Sequence, residues 1–171
     1  MSEINLFNII KKIKEKNIYS NNIIKPILGD CNDKYFLENY FKNIIIDDVY
    51  HAAAYKHVSF GEENQYSMIK NNIFGTKTIV DFSKYKKVKN FVFISSDKAV
   101  NPKSILGFTK SFGEKIVCNQ MFQDKNELTT NFTIVRFGNV IGSSGSVIPI
   151  FLKQISQNMP LTVTHKKVKR Y

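Results

Sequence analysis

The feature that most limits what this chain can fold into is an alternation of two periods. Short apolar, β-prone runs at 23–28, 49–54, 91–95, 132–137 and 161–164 are separated by stretches with helical spacing. The helical stretches are one following Ser2 and then, roughly, 34–43, 65–85, 105–122 and 147–157. Ser2 can cap the first, whose apolar face is Leu6, Ile9, Ile10 and Ile13, and Asp33 can cap the second. Strands joined by helices must cross over, and crossovers of this kind build a parallel sheet. The pattern therefore predicts an α/β chain: a Rossmann-like parallel sheet with flanking helices, its strands apolar on both faces. Pro26 places the first run at an edge, because proline cannot donate to a ladder.

In such sheets ligands bind beyond the carboxyl ends of the strands. Three polar segments fall there: HAAAYKH (51–57), SSDKAVNP (95–102) and GNVIGSSG (138–145). Together they predict one site. Ser96, Asp97 and Lys98 put a hydroxyl, a carboxylate and an amine side by side as the chain leaves a buried strand. A solvated loop with Asp97 capping a turn is the plain reading. At a strand end, though, a carboxylate and an ammonium can form an acid/base pair, because burial moves both toward neutrality. Lys110 follows Leu106 by four residues, the spacing of the Tyr and Lys of short-chain dehydrogenase/reductases, but leucine cannot titrate.

The three alanines at 52–54 let a ligand approach the backbone, or simply pack tightly. His51 and His57 have no partners at metal spacing, so no metal site is expected. Asn72 sits in a helical stretch, where a polar residue ordinarily faces solvent. GNVIGSSGS (138–146) could cradle phosphate through backbone N–H groups, but it lacks the Gly-Lys-Ser/Thr ending of a P-loop. Arg136, at the end of its strand, could reach a phosphate. None of the eight glycines forms a strand–GxGxxG–helix unit.

Composition narrows the partners. A chain of 171 residues is long enough for one domain with a core. A net charge of +11 favours an anionic partner, either nucleic acid or a nucleotide-sugar. The lysines cluster on presumed helix faces (11, 12, 14, 16 and 84, 86, 87) without interleaved aromatics, which argues against nucleic acid. No apolar run reaches about eighteen residues, so no membrane span is encoded here. No signal-peptide h-region is present, and Cys31 and Cys118 show no disulfide framework; a reducing cytoplasm fits.

Six ordered segments, VYHAAAYKHV, SMIKNNIFGT, FVFISSDKAVNP, LGFTK, VRFGNVIGSSGSVIP and PLTVTHKKVKRY, carry a resemblance. From about 29 to 171 the chain resembles the polysaccharide-biosynthesis nucleotide-sugar 4,6-dehydratases. These are UDP-N-acetylglucosamine 4,6-dehydratases of the extended short-chain dehydrogenase/reductase superfamily. The resemblance implies NAD or NADP as cofactor and a UDP-sugar substrate. It also implies a route: oxidation at C4, deprotonation at C5, loss of water from C6 and return of the hydride. Within it, Ser96 would bond the C4 hydroxyl, Asp97 would protonate the departing C6 hydroxyl and Lys98 would take the C5 proton.

Lys110 would bind the nicotinamide ribose in this scheme, and Asp30 and Cys31 would sit by the adenine. Ala52, Ala53 and Lys56 would line the cofactor and sugar pocket. Asn72, Asn139, Ser146 and Arg170 would meet the UDP-sugar. Leu106 stands where long-form members have Met and short-form members Tyr, which fits acid/base work carried by Asp97 and Lys98.

The resemblance further implies a homo-oligomer, with full-length long-form relatives anchored at the inner membrane. Family members open the domain with a strand, a glycine-rich turn, a helix and a second strand. This sequence is expected to lack that unit, and so to be one partial NAD(P)-binding domain over 1–171, with a substrate-binding segment starting near 139. The chain alone is then expected to be inactive. A related epimerase, and a non-catalytic segment that complements a separate polypeptide, remain the alternatives.

Overall fold

A computed structural model describes residues 3–15, 24–122, 130–140 and 147–163. The chain divides into two compact units, Met1–Arg136 and Phe137–Tyr171.

In the first unit, α1 (Glu3–Glu15) and α2 (Lys34–Tyr40) precede β1 (Asp48–His51). Next come α3 (Val58–Glu63), α4 (Gln65–Ile69), a π-helical turn (Lys70–Phe74) and α5 (Gly75–Tyr85). Then follow β2 (Asn90–Ser96), a 3-10 turn (Asp97–Ala99), α6 (Ile105–Met121) and β3 (Asn131–Phe137). The sheet order is β1-β2-β3. β1 and β2 run parallel, with Asp48 opposite Asn90 and His51 opposite Phe93.

The three strands start level with one another. The backbone N–H of Lys89 donates to the Asp47 carbonyl at 2.8 Å, and that of Asn131 to the Lys89 carbonyl at 2.8 Å. Side chains repeat the pattern: Asn90 Nδ2 donates to Asp48 Oδ1 at 2.7 Å and Asn131 Nδ2 to Asn90 Oδ1 at 3.3 Å. Such a ladder fixes register, and a slip by one residue would turn every core side chain outward.

Phe91 and Phe93, two apart on β2, share one face. They form the core with Val80 of α5 and Val117 of α6, flanked by Val49, Ile79, Ile116, Phe132 and Ile134. Each such side chain contributes roughly 1.5–3 kcal/mol by burial. On the opposite face Val92 and Ile94 are half-buried and Tyr50 is exposed, so the strands are not equally covered on both sides.

Asp33 caps α2 as expected, its Oδ1 accepting the Phe36 N–H at 2.8 Å. Helix α6 is capped twice: Ser104 Oγ accepts from Gly107 N–H at 3.2 Å, and Glu62 Oε1, reaching across from α3, accepts from Ile105 N–H at 2.8 Å. On α1, Leu6, Ile10 and Ile13 are half-buried, whereas Ile9 is exposed.

Four expectations change. Residues 24–28 form no strand, consistent with the missing N–H of Pro26. The second expected strand stops at His51, so the alanines belong to the following loop. Residues 161–163 are not a strand either; Thr164 lies outside the described residues. The helix expected over 65–85 is interrupted by the π turn, and α3 was not anticipated.

In the second unit, α7 (Val147–Ser156) is held to the segment after it by Gln154, whose Nε2 donates to Thr162 Oγ1 at 2.6 Å. Among the described residues, no helix is long and apolar enough to cross a membrane.

Candidate active site at the ends of β1 and β2

Ser96 is the last residue of β2, and the chain turns immediately into the Asp97–Ala99 3-10 turn. Ser96 starts that turn by accepting the Lys98 N–H on its Oγ at 3.3 Å, which swings three successive side chains together. Asp97 Oδ1 then accepts twice: from Ser96 Oγ at 2.8 Å and from Lys98 Nζ at 2.9 Å. The Lys98 ammonium holds the Asp97 carboxyl below its ordinary range; burial opposes this, and the Ser96 hydroxyl adds to the lowering. The expected acid and base are therefore in direct contact. Asn101, further along this loop, takes a positive φ of 46° ahead of Pro102.

Helix α6 lies against the turn because residue 107 is glycine. A Cβ there would stand 2.3 Å from the Lys98 carbonyl oxygen and 3.1 Å from Pro102. One turn later α6 presents Lys110, which is 8% exposed. Its Nζ donates to the Ile94 carbonyl at 2.8 Å and sits 4.9 Å from the centroid of the Phe93 ring. Burial pushes the ammonium down to about 8, and the negative charge of Glu114 opposes that shift. Leu106 is buried, so the position where a tyrosine was considered is a core contact.

Glu114, one further turn along, is buried and grips Arg136 of β3 with both oxygens. Arg136 Nε donates to Oε1 at 2.8 Å and Nη2 to Oε2 at 2.6 Å. The guanidinium considered as a phosphate ligand is thus engaged by a carboxylate. The i,i+4 spacing of Lys110 and Glu114 was a readable signal, but the partner on β3 was not.

Asn72 is not on the surface. It occupies the π turn, is 2% exposed and joins three elements. Its Oδ1 accepts the Tyr55 N–H at 2.8 Å, while its Nδ2 donates to the Tyr55 carbonyl at 3.1 Å and to Thr109 Oγ1 at 3.0 Å. It thereby ties the loop holding Ala52, Ala53 and Lys56, all exposed, to the residue next to Lys110.

Behind it, Thr76 Oγ1 donates to the Asn72 carbonyl at 2.6 Å and lies 3.0 Å from His51 Nε2. With the threonine proton committed, Nε2 is the donor, which assigns the tautomer. Burial pushes His51 down to about 4, with Lys110 adding to the shift, and the ring is stacked on Phe93. A polar residue at a π turn is a recognisable functional feature, but helical periodicity does not reveal the turn.

Asp30 folds an Asx turn, accepting from Asn32 N–H at 2.9 Å and Asn32 Nδ2 at 3.0 Å. Cys31 is half-buried with its thiol pushed up by burial; a Cβ on Gly75 would lie 3.1 Å from its Sγ. Asn139 is exposed and belongs to the second unit. Ser146 and Arg170 lie outside the described residues.

The site is thus a carboxylate–ammonium pair at a strand end, followed by a buried lysine on the next helix. Comparison with known proteins finds the family model described as "Polysaccharide biosynthesis protein" matching residues 1–171. The chain belongs to the polysaccharide biosynthesis protein family. It is 44% identical over 154 residues to the capsular polysaccharide biosynthesis protein CapD of Staphylococcus aureus, covering 90% of this chain and 25% of that one. It is 35% identical over 165 residues to a UDP-N-acetylglucosamine 4,6-dehydratase (inverting) of Campylobacter jejuni, covering 95% of this chain and 48% of that one. The chain therefore spans half or less of these relatives.

Among solved structures, Pen from Bacillus thuringiensis superposes with a TM-score of 0.83 at 40% identity, covering 96% of this chain and 50% of that one. The dTDP-glucose 4,6-dehydratase DesIV of Streptomyces venezuelae, solved with NAD bound, gives 0.70 at 18% identity, over 86% of this chain and 49% of that one. At that identity the likeness shows the Rossmann-type fold alone.

Proposed function

We propose that this chain carries the reaction centre of a nucleotide-sugar 4,6-dehydratase acting on UDP-N-acetylglucosamine, in the synthesis of bacterial polysaccharide. The observation that supports this most is the direct Lys98–Asp97 contact at the end of β2. A dehydration needs a base and an acid together: one takes the proton at C5, the other supplies a proton to the hydroxyl leaving C6.

At rest Asp97 is the carboxylate and Lys98 its ammonium partner. The reactive forms, a carboxylic acid and a free amine, differ from this pair by one proton moved along the 2.9 Å hydrogen bond. Excluding water favours the neutral pair, because an ion pair is costly in a dry site. Lys98 then accepts the C5 proton, Asp97 gives its proton to the C6 oxygen, and water leaves. Lys98 is again an ammonium and Asp97 a carboxylate, so elimination restores the resting pair with no net proton exchange. Ser96, donating to Asp97 at rest, can turn its hydroxyl to the sugar C4 oxygen.

The residues present fit the nicotinamide-ribose end of NAD(P). Lys110 has three N–H donors and the Ile94 carbonyl takes one, which leaves donors for ribose hydroxyls. Ala52, Ala53 and Lys56 give a small-residue, cationic wall, and Asp30 with Cys31 are assigned to the adenine side. When bound, the cofactor supplies a hydride acceptor for C4 and the hydride returned to C6. Asn72, Asn139, Ser146 and Arg170 are assigned to the UDP-sugar, with Asn72 acting through the loop it holds. In this reading residues 1–171 belong to one partial NAD(P)-binding domain, with the substrate segment starting near 139.

The test is product analysis with UDP-N-acetylglucosamine and NAD+ or NADP+. It is run on the 171-residue chain and on a chimera in which the chain replaces the matching part of the Campylobacter relative. The chain alone is expected to be inactive. The chimera is expected to yield a 4-keto-6-deoxy sugar, lighter by one water. A 4-epimer of unchanged mass would make it an epimerase instead.

A further inference from the structure

Lys110 is a cation in a poor place for one. It is buried over the Phe93 ring, and its one close acceptor is a neutral carbonyl. The groups facing it can be named by element. From β1 comes His51, neutral and donating elsewhere; from β2, the Ile94 carbonyl and the Phe93 ring. On α6 itself comes Glu114, one turn on and also buried; from β3 comes Arg136, bonded to Glu114. Glu114 is the one anion in this set, and Arg136 occupies both of its oxygens.

We infer that Glu114 and Arg136 are positioning residues that set the charge on Lys110: Glu114 keeps the buried ammonium protonated, and Arg136 limits how much of that negative charge Lys110 receives. Two further observations support it. Lys110 is pushed down by burial and pulled back by Glu114. Glu114 in turn is held below the ordinary carboxylate range chiefly by Arg136, so its charge is constant across the range in which Lys110 titrates.

A purely structural clamp behaves differently under substitution. Breaking it from either side would do the same damage. A charge-setting pair gives opposite signs, because Glu114→Gln removes the anion while Arg136→Gln leaves it uncompensated. The expectation rests on the reading that Lys110 is the cofactor's lysine only for its purpose, not for its measurement.

The experiment titrates Lys110 by NMR in the 171-residue chain labelled with 13C-lysine, the signal assigned by its loss in Lys110→Arg. Relative to the parent chain, Glu114→Gln is expected to lower the midpoint by about one pH unit or more, and Arg136→Gln to raise it. If Arg136→Gln does not fold, the double variant E114Q/R136Q keeps an amide pair in the same space, and it too must lower the midpoint. Shifts of the same sign in the two single variants, no shift in Glu114→Gln, or no lowering in the double variant would overturn the inference. NAD+ affinity of the chimera and of the same variants in it, measured against pH, separates the two claims. Midpoints that move as stated while affinity ignores them would leave the charge-setting intact and sink the cofactor role of Lys110.

Discussion

Gly107 of α6 and Lys98 of the Asp97–Ala99 turn meet backbone to backbone: a Cβ on Gly107 would lie 2.3 Å from the Lys98 carbonyl oxygen. The neighbour is main chain and cannot swing away, so an added methyl must move the helix or the turn. Gly107→Ala is expected to cost about 1–3 kcal/mol in urea unfolding, as overpacking does. It is also expected to reduce dehydration by the chimera at least about tenfold, because Lys98 leaves its position. Wild-type turnover in a destabilised Gly107→Ala would show that the contact does not position the base.

Lys110 is expected to oppose stability while serving function. Its ordinary value is 10.5 and burial brings it to about 8 in the fold. Between those values the unfolded chain holds a proton that the folded chain has released, so stability rises with pH from about 8 to 10.5. Below about 8 the full penalty is present, roughly 3 kcal/mol. Lys110→Met removes it and loses the Ile94 hydrogen bond, worth roughly 1 kcal/mol. The variant is expected to be more stable at pH 7 by roughly 1–3 kcal/mol, with the advantage shrinking toward pH 10, and the same substitution in the chimera is expected to lose NAD+ binding. Denaturant unfolding across that pH range checks it.

His51 gives the acid counterpart. Its folded value of about 4 lies below the ordinary 6.5, so the folded chain keeps a neutral ring where the unfolded chain takes a proton. Its contribution is complete above pH 6.5 and is lost as pH falls toward 4. His51→Gln, which can still donate to Thr76, is expected to flatten the acid limb of the stability curve by up to roughly 3 kcal/mol.

Asn72 predicts a local effect. Its Oδ1 is the acceptor for the Tyr55 amide, and its Nδ2 reaches Thr109. Asn72→Ala leaves the part-buried Tyr55 amide without its acceptor and removes one partner of Thr109, at roughly 1–3 kcal/mol. Hydrogen exchange is expected to show the Tyr55 amide losing protection while β2 amides keep theirs; unchanged exchange at Tyr55 would remove the clamp.

The strands β2 and β3 and the polar turn after β2 were legible because they depend on local signals. Phe91–Ser95 is a short β-prone run, and the polar triplet after it had to lie at a carboxyl end. What was not legible depends on partners distant in sequence. Asn72 looked like a surface residue because it is polar within a helical stretch, although it falls four residues from the buried Met68 and Thr76 on the same face. The π turn and its bonds to Tyr55 and Thr109 bury it. Arg136 looked like an anion ligand because strand position gives no sight of Glu114. Helix α3 carries no side-chain cap at His57 and a glycine at 61, so nothing local announced it, although its Glu62 caps α6.

The account stands most directly on the Asp97–Lys98 pair acting as acid and base. The measurement is the mass and NMR spectrum of the nucleotide-sugar formed by the chimera and by its Asp97→Asn and Lys98→Met variants, each first shown to bind NAD+. The account predicts a 4-keto-6-deoxy product with water lost from C6, and a loss of at least about a hundredfold in either variant. Undiminished water loss in both variants, or a product that keeps its C6 hydroxyl, would contradict it.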